Sequence, residues 1–306
     1  MDAIKNAWTM FGWITPFFHS PRPMISFYNY DYIKTTHKKG FGRTDQKAAQ
    51  ALEKAREVAK LAPSGSDFET VRFFHDYLVK NCSYNDEKPD EPDNSSAYGA
   101  LVLGRATCEG YADAMGILLS LAGIENTYAN NYGDRETGVV GHIWNIVKID
   151  GGFYHIDVTS DDLTFSDWER PDNQVLYWRF GLTTEEIMKT NSINENILNL
   201  IPDCTQDTYN FYKYNGLLFD QYDKIPVAKA MAAFYTQSLQ EGNSSTTVKF
   251  TNQAAFDEAV ADIDRLCSRI VRYAGSESMT CDYRTGELYM TLEIRPEAAG
   301  IDQASQ

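Results

Sequence analysis

The chain has 306 residues, 43% of them hydrophobic, which exceeds the usual single-domain size and predicts one sizeable core with a smaller appendage. Its 43 acidic residues outnumber 28 basic ones, and the net charge of −15 repels phosphate backbones and anionic headgroups, which excludes a general nucleic-acid or membrane-surface role. No stretch approaches the roughly 20 apolar residues of a membrane span. The cysteines, Cys82, Cys108, Cys204, Cys267 and Cys281, are scattered without a CxxC pair, so neither a zinc ribbon nor a dense disulfide framework is indicated, and the odd count leaves at least one thiol free.

Residues 1–45 open with an aromatic run from Ala7 to Phe18, broken by Pro16, Pro21 and Pro23, and continue into a β-rich segment from Ile25 to Thr35. Trp8, Phe11, Trp13, Phe17 and Phe18 are expected to pack against the main domain. Met1-Asp2-Ala3-Ile4-Lys5-Asn6 lacks the basic region, apolar core and cleavage site of a signal peptide, which leaves a cytosolic and an exported location both open.

From Asp45 to Leu61, Ala48, Leu52, Ala55, Val58 and Ala59 recur at helical spacing, and Pro63-Ser64-Gly65-Ser66 ends the helix. Asp67 is a candidate cap for a second helix that carries Phe68, Val71, Phe74, His75 and Leu78 on one face through Lys80. His75 on that apolar face is expected to be a hydrogen-bonded core histidine. Residues 84–96 form a polar, proline-bearing loop that leads straight into the next segment and is placed to rim a site.

That segment reads Gly104-Arg105-Ala106-Thr107-Cys108-Glu109-Gly110-Tyr111, followed by a helical apolar face of Ala114, Ile117, Leu118 and Leu121. Thr107 is a candidate N-cap, which puts Cys108 in the first turn. There the unpaired backbone N–H groups and the helix dipole favour a thiolate and face a developing oxyanion. A buried structural cysteine is the competing reading of the same context.

His142 to Ile149 and Phe153 to Thr159 alternate around Asp150-Gly151-Gly152, a strong hairpin signal. A two-residue loop pairs Ile149 with Gly152, sets His142 opposite Thr159, and puts Asp157 two positions along on the same face; any even loop preserves this parity. Such diagonal neighbours lie about 7–8 Å apart, within reach of an imidazole–carboxylate hydrogen bond. Trp144 and His155 share the face. His142, His155, Asp157 and Cys108 therefore also make a chemically adequate zinc set, but a cysteine at a helix start better suits a nucleophile.

Beyond about residue 201 no motif attaches to chemistry. Tyr209, Phe211, Tyr212, Tyr214, Phe219 and Tyr222 form an aromatic patch read as packing, a helix is predicted from Gln253 to Ile270, and a hairpin from Met279 to Ile294 turns at Thr285-Gly286. The last eight residues are expected to fray.

Residues 67–165 resemble the transglutaminase-like superfamily, the papain-like fold of cysteine transglutaminases and related enzymes. The resemblance rests on His75-Asp76-Tyr77-Leu78-Val79, on Tyr98 through Cys108-Glu109-Gly110-Tyr111-Ala112, on Gly141-His142-Ile143-Trp144-Asn145, and on Tyr154-His155-Ile156-Asp157-Val158-Thr159. It implies an α+β fold in which a cysteine-bearing helix packs on an antiparallel sheet carrying His and Asp. The parts would be an N-terminal extension (1–45), a catalytic core (46–200) and a C-terminal accessory region (201–306).

Carried over residue by residue, Cys108 matches the nucleophile, His142 the general base and acid, and Asp157 the residue that orients the histidine. Tyr98 is a candidate second oxyanion donor, and Tyr111 and Trp144 are further candidates for substrate or oxyanion contacts. Many bacterial members read Asp-Val-Thr-Trp-Asp where this chain has Ser160 in place of the tryptophan, which alters one wall of the cleft. The implied activity is amide acyl transfer or hydrolysis on a peptide or protein, including cell-wall peptide, through a thioester, with neither cofactor nor metal. Bacterial relatives of this layout point to an exported, cell-envelope location. A non-catalytic cell-surface module for peptide or glycan is the rival reading.

Overall fold

A computed structural model of the chain describes residues 42–85, 93–131, 141–162, 175–275, 279–286 and 288–296. The expected N-terminal aromatic and β segments, part of the 84–96 loop and the terminal tail lie outside the described residues. These residues divide into two compact units. One contains residues up to 162 together with Arg179–Tyr209, and the other contains 175–178 together with the residues from Asn210 onward.

In the first unit, α1 (Gly42–Ala59) buries Ala51, Ala55 and Val58 along one stripe. α2 (Asp67–Asn81) starts one residue earlier than expected, because Ser66 and not Asp67 is its cap. Ser66 Oγ accepts from Glu69 N at 3.3 Å while Ser66 N donates to the Glu69 carboxylate at 3.1 Å. This capping box leaves Asp67 in the first turn, where its charge meets the positive end of the helix dipole.

β1 (Ser83–Tyr84) pairs in parallel with β2 (Arg105–Ala106), and a π-helical turn at Gly99–Leu103 lies between them. α3 (Cys108–Leu121) begins two residues after β2, so this short pairing fixes where the cysteine-bearing helix starts.

A four-stranded antiparallel sheet follows, ordered β3 (Asn126–Asn131), β4 (His142–Ile149), β5 (Gly152–Ile156) and β6 (Phe180–Leu182). Ile149 pairs with Gly152, and the turn residues Asp150 and Gly151 have φ of 45° and 85°, the two left-handed positions that a type I′ hairpin requires. The loop is therefore even, as the parity argument needs. Buried Asn145 donates through Nδ2 to Ala112 O of α3 at 3.1 Å, so the Ile143, Asn145 and Val147 face of β4 meets that helix. Trp144 and Ile146 point the other way, into a cluster with Ala129, Leu182, Ile187, Ile193 and Cys204. Two single-turn helices, α4 (Thr184–Ile187) and α5 (Glu195–Leu198), contribute to that side.

The second unit contains α6 (Phe211–Tyr214), β7 (Leu218–Phe219), α7 (Lys224–Gln240), β8 (Ser245–Phe250), α8 (Gln253–Ala261), α9 (Ile263–Tyr273), β9 (Met279–Gly286) and β10 (Tyr289–Pro296). Its sheet runs β7-β8-β10-β9, and its core joins Met231 and Tyr235 of α7 to Phe250, Leu266, Ile270 and Leu292. The single helix expected from Gln253 to Ile270 is broken at Asp262, whose carboxylate accepts from Arg269 Nη1 at 2.7 Å and from Tyr222 Oη at 2.9 Å. Asx residues favour such breaks because their side chains compete with the backbone for partners. The expected β9–β10 hairpin is present, but Thr285 and Gly286 belong to β9, paired with Met290 and Tyr289, so the turn lies beyond the expected Thr285-Gly286. In the aromatic patch Phe211 stacks on Tyr177 with ring centroids 3.6 Å apart and Tyr212 is buried, so these rings pack, whereas Tyr214 is exposed.

One glycine ties this architecture to Cys108. A Cβ on Gly110 would stand 2.6 Å from Asn94 O, 2.8 Å from Ala106 Cβ and 2.9 Å from Ser96 O. Alanine normally gains about 1 kcal/mol over glycine inside a helix. Here the clash with fixed backbone outweighs it, and Gly110→Ala is expected to lose about 1–3 kcal/mol in urea unfolding.

Candidate active site

Cys108 is the first residue of α3 and is partly buried. Thr107 occupies the cap position without a side-chain cap bond, and its hydroxyl instead donates to Asn94 O at 3.3 Å. The first-turn N–H groups are thus not taken by their own cap residue, in contrast to α2, where the Ser66 hydroxyl takes one.

His142 opens β4. Its backbone N donates to Asn131 Oδ1 at 2.5 Å, which fixes the strand start against β3. The ring stacks on Trp144 with centroids 5.6 Å apart and planes at 25°, and Nε2 donates to Asp157 Oδ2 at 2.7 Å. With Nε2 committed, Nδ1 is the ring nitrogen left for Cys108, whose sulfur contributes to the charge balance of the imidazole. Burial alone lowers the His142 pKa, but the Asp157 charge, the Asp157 hydrogen bond and the Cys108 sulfur together raise it from 6.5 to about 10. Asp157 moves the opposite way: burial raises it, and the His142 charge and hydrogen bond, with Ser160, more than compensate and hold it below the usual carboxylate range.

Asp157 lies just past the end of β5, and its backbone N donates to Arg179 O at 3.1 Å. Its side chain closes an Asx-type turn by accepting from Ser160 N at 3.2 Å, and its Oδ2 also takes Ser160 Oγ at 2.6 Å and Asn191 Nδ2 at 3.2 Å. The turn is fastened twice more. Asp161 accepts from His75 Nε2 at 3.1 Å and from Arg179 N at 2.8 Å, and Tyr111 Oη donates to Asp162.

His75 is fully buried and hydrogen-bonded, as its place on the apolar face of α2 suggested. Both nitrogens face carboxylates, Asp76 at 3.0 Å and Asp161 at 3.1 Å, so both carry protons. Burial opposes that charge, yet the two carboxylates raise its pKa to about 9.

His155 contrasts with both. Trp144 Nε1, which only donates, gives its proton to His155 Nδ1 at 3.0 Å, so Nε2 carries the hydrogen and donates to Thr184 Oγ1 at 3.1 Å. Burial lowers this histidine to about 4, with the Asp157 charge opposing only in part. His155 thus serves Trp144 and Thr184, which leaves Cys108, His142 and Asp157 as the connected set.

Two of the sequence candidates for substrate contact are corrected. Tyr111 is fully buried with its hydroxyl on Asp162, and Trp144 is 1% exposed behind His142, so neither faces a substrate. Tyr98 precedes the π-helical turn, with Lys47 Nζ 5.5 Å from its ring centroid. The sequence reading missed Asn131, Asn191 and the roles of Ser160, Asp161 and Asp162. The acidic run Asp157 to Asp162 was a visible signal for a polar-anchored turn, whereas nothing local marked Asn131 or Asn191.

Residues 53–158, which span Cys108, His142 and Asp157, match the family model described as the transglutaminase-like superfamily. Among solved structures, one described as a TGase shares 18% identity over 46% of this chain and 40% of its own, with a TM-score of 0.35. A second, described as a candidate cysteine protease from Cytophaga hutchinsonii, shares 19% identity over 34% of this chain and 37% of its own, with a TM-score of 0.28. The chain thus spans less than half the length of either. No curated protein matches it.

The pH dependence of stability follows from the two shifts. His142, raised from 6.5 to about 10, contributes stability that is complete below pH 6.5 and disappears as pH rises through 10. Asp157, lowered from 3.8, contributes stability present above pH 3.8 and lost as pH falls through its folded value. Urea unfolding of wild type against His142→Ala is expected to show its largest difference between about pH 4 and 6.5, shrinking toward pH 10.

Proposed function

Starting from a transglutaminase-like core, a family of cysteine-type enzymes, we propose that this protein carries out amide acyl transfer through a thioester on Cys108, with hydrolysis of a peptide or protein amide as its default reaction. The observation that carries the reading is His142 donating to Asp157 through Nε2 at 2.7 Å, with the Cys108 sulfur near enough to help raise the His142 pKa. This is the relay of nucleophile, base and orienting carboxylate that acyl transfer requires.

In the proposed sequence, the Cys108 thiolate adds to the carbonyl carbon, and the oxyanion is held by the Cys108 backbone N–H, with Tyr98 as candidate second donor. The His142 imidazolium then gives its proton to the amine nitrogen as the C–N bond breaks. A water molecule, losing a proton to His142, attacks the thioester and releases the acid and the thiolate. An acceptor amine in place of water gives transamidation with the same residues. Water needs no pocket of its own, which is why hydrolysis is the default.

The substrate class we infer is a peptide, with cell-wall peptide included, at an extracytoplasmic location; both come from the resemblance. Ser160 stands where many bacterial relatives have tryptophan. Ser160 donates to the Asp157 carboxylate, which favours a working relay.

Iodoacetamide at about pH 6 is the direct test, because the proposed nucleophile must react as a thiolate. Wild type is expected to be alkylated at Cys108, Cys108→Ala to lose that label, and Asp157→Asn to label at least 10-fold more slowly. Peptide hydrolysis or glutamine transamidation should disappear in Cys108→Ala; equal turnover by both proteins would sink the proposal.

A further inference from the structure

We propose that Ser160, supported by Asn191, is a positioning residue for this site: by donating to the Asp157 carboxylate it draws part of that charge away from the His142 imidazolium. The inference rests on the reading of Cys108, His142 and Asp157 given above and adds a function for residues outside that set.

The geometry is a count of partners around one buried group. Asp157 has no exposed surface, and a carboxylate offers about four lone-pair sites. Oδ2 accepts from His142 Nε2 at 2.7 Å, Ser160 Oγ at 2.6 Å and Asn191 Nδ2 at 3.2 Å, and Oδ1 accepts from Ser160 N at 3.2 Å. Ser160 therefore holds both oxygens at once, one through its hydroxyl and one through its backbone.

The rest of the turn presets that hydroxyl. Asp161 N donates to Asp157 O at 3.3 Å and Asp162 N to Thr159 O at 3.2 Å, while the Asp161 carboxylate is fixed by His75 and by Arg179 N. Asn191 arrives from the chain just after α4, its backbone N donating to Ile187 O at 2.8 Å. Two separate segments thus close on one carboxylate that already has its histidine.

Each extra donor stabilises the carboxylate and weakens its demand for the proton on His142. That matters for a histidine which must also release its proton to a departing amine. A bare carboxylate would concentrate its charge on the imidazolium and hold the proton more tightly. Among the described residues, the other ionisable groups near His142 include Cys108 from α3 and His155 of β5, which lies beyond Trp144 and is neutral.

This assigns opposite signs to two roles. If Ser160 only supports the local structure, its removal loosens the His142–Asp157 contact and the imidazole titrates at lower pH. If it shares the charge of Asp157, its removal makes the imidazole titrate at higher pH.

The experiment is a nitrogen-15 NMR titration of His142 in the full chain, comparing wild type with Ser160→Ala, Ser160→Thr and Asn191→Ala. The expected result is a midpoint raised by roughly half a unit or more in Ser160→Ala, a smaller rise in Asn191→Ala, and a wild-type value in Ser160→Thr. A midpoint that is unchanged or lowered in folded Ser160→Ala overturns the proposal. If that variant does not fold, Ser160→Cys, which keeps the volume with a weaker donor, is read by the same criterion. Iodoacetamide labelling of wild-type Cys108 at pH 6 is run alongside. Inert Cys108 defeats the catalytic reading, whereas the histidine titration decides the role of Ser160 by itself.

Discussion

A single buried charge, the carboxylate of Asp157, sets the terms for the surrounding structure. Removing an ion of this kind from water costs several kcal/mol unless partners replace the water. The chain supplies them from three places, His142 at the start of β4, Ser160 from the same turn and Asn191 from after α4, while the Arg179 carbonyl accepts from Asp157 N and fixes the residue that carries the charge. β5 stops one residue before Asp157 because a residue whose side chain is needed in this cage leaves the ladder to close a turn.

The three described histidines of the first unit show how neighbours set charge within one core. His75 is fully buried and His142 partly so, and both are held as imidazolium by carboxylates, with pKa values of about 9 and about 10. His155 is equally enclosed, but its partners are the Trp144 N–H and the Thr184 hydroxyl, and burial pushes it to about 4. Positive charge is thus kept beside the cysteine and beneath the turn, while the wall behind Trp144 stays neutral. The neutral wall lets Trp144 stack on the His142 ring without competing for the Asp157 carboxylate.

The helix start is positioned by backbone more than by side chains. The β1–β2 pairing and the tight approach of Gly110 to Asn94 and Ser96 place the first turn of α3, and the Asn145 bond to Ala112 ties the same helix to β4. Cys108 and His142 therefore belong to elements connected within a few residues of the reacting atoms. Such short connections keep a nucleophile and its base in register, which proximity catalysis requires.

Much of this was legible in the sequence. The alternation around Asp150-Gly151 fixed hairpin parity, and parity put His142 and Asp157 on one face, because side chains in strands repeat every two residues whatever the rest of the fold does. Helical spacing marked α1, α2 and α3, and the apolar face of α2 announced His75 as a core histidine. Local rules failed where a distant partner decides the outcome. Asp262 broke an otherwise continuous helical pattern because Arg269 and the distant Tyr222 claim its carboxylate, whereas the Ser66–Glu69 capping box that displaced Asp67 was a local signal present in the sequence. Tyr111 and Trp144 looked available for substrate because sequence carries no burial, and the structure turns both inward. The sequence by itself determined which residues can perform the chemistry and on which face they lie. Only the tertiary structure decided which of them meet, since Asn131 and Asn191 reach His142 and Asp157 through contacts whose spacing along the chain follows no local period.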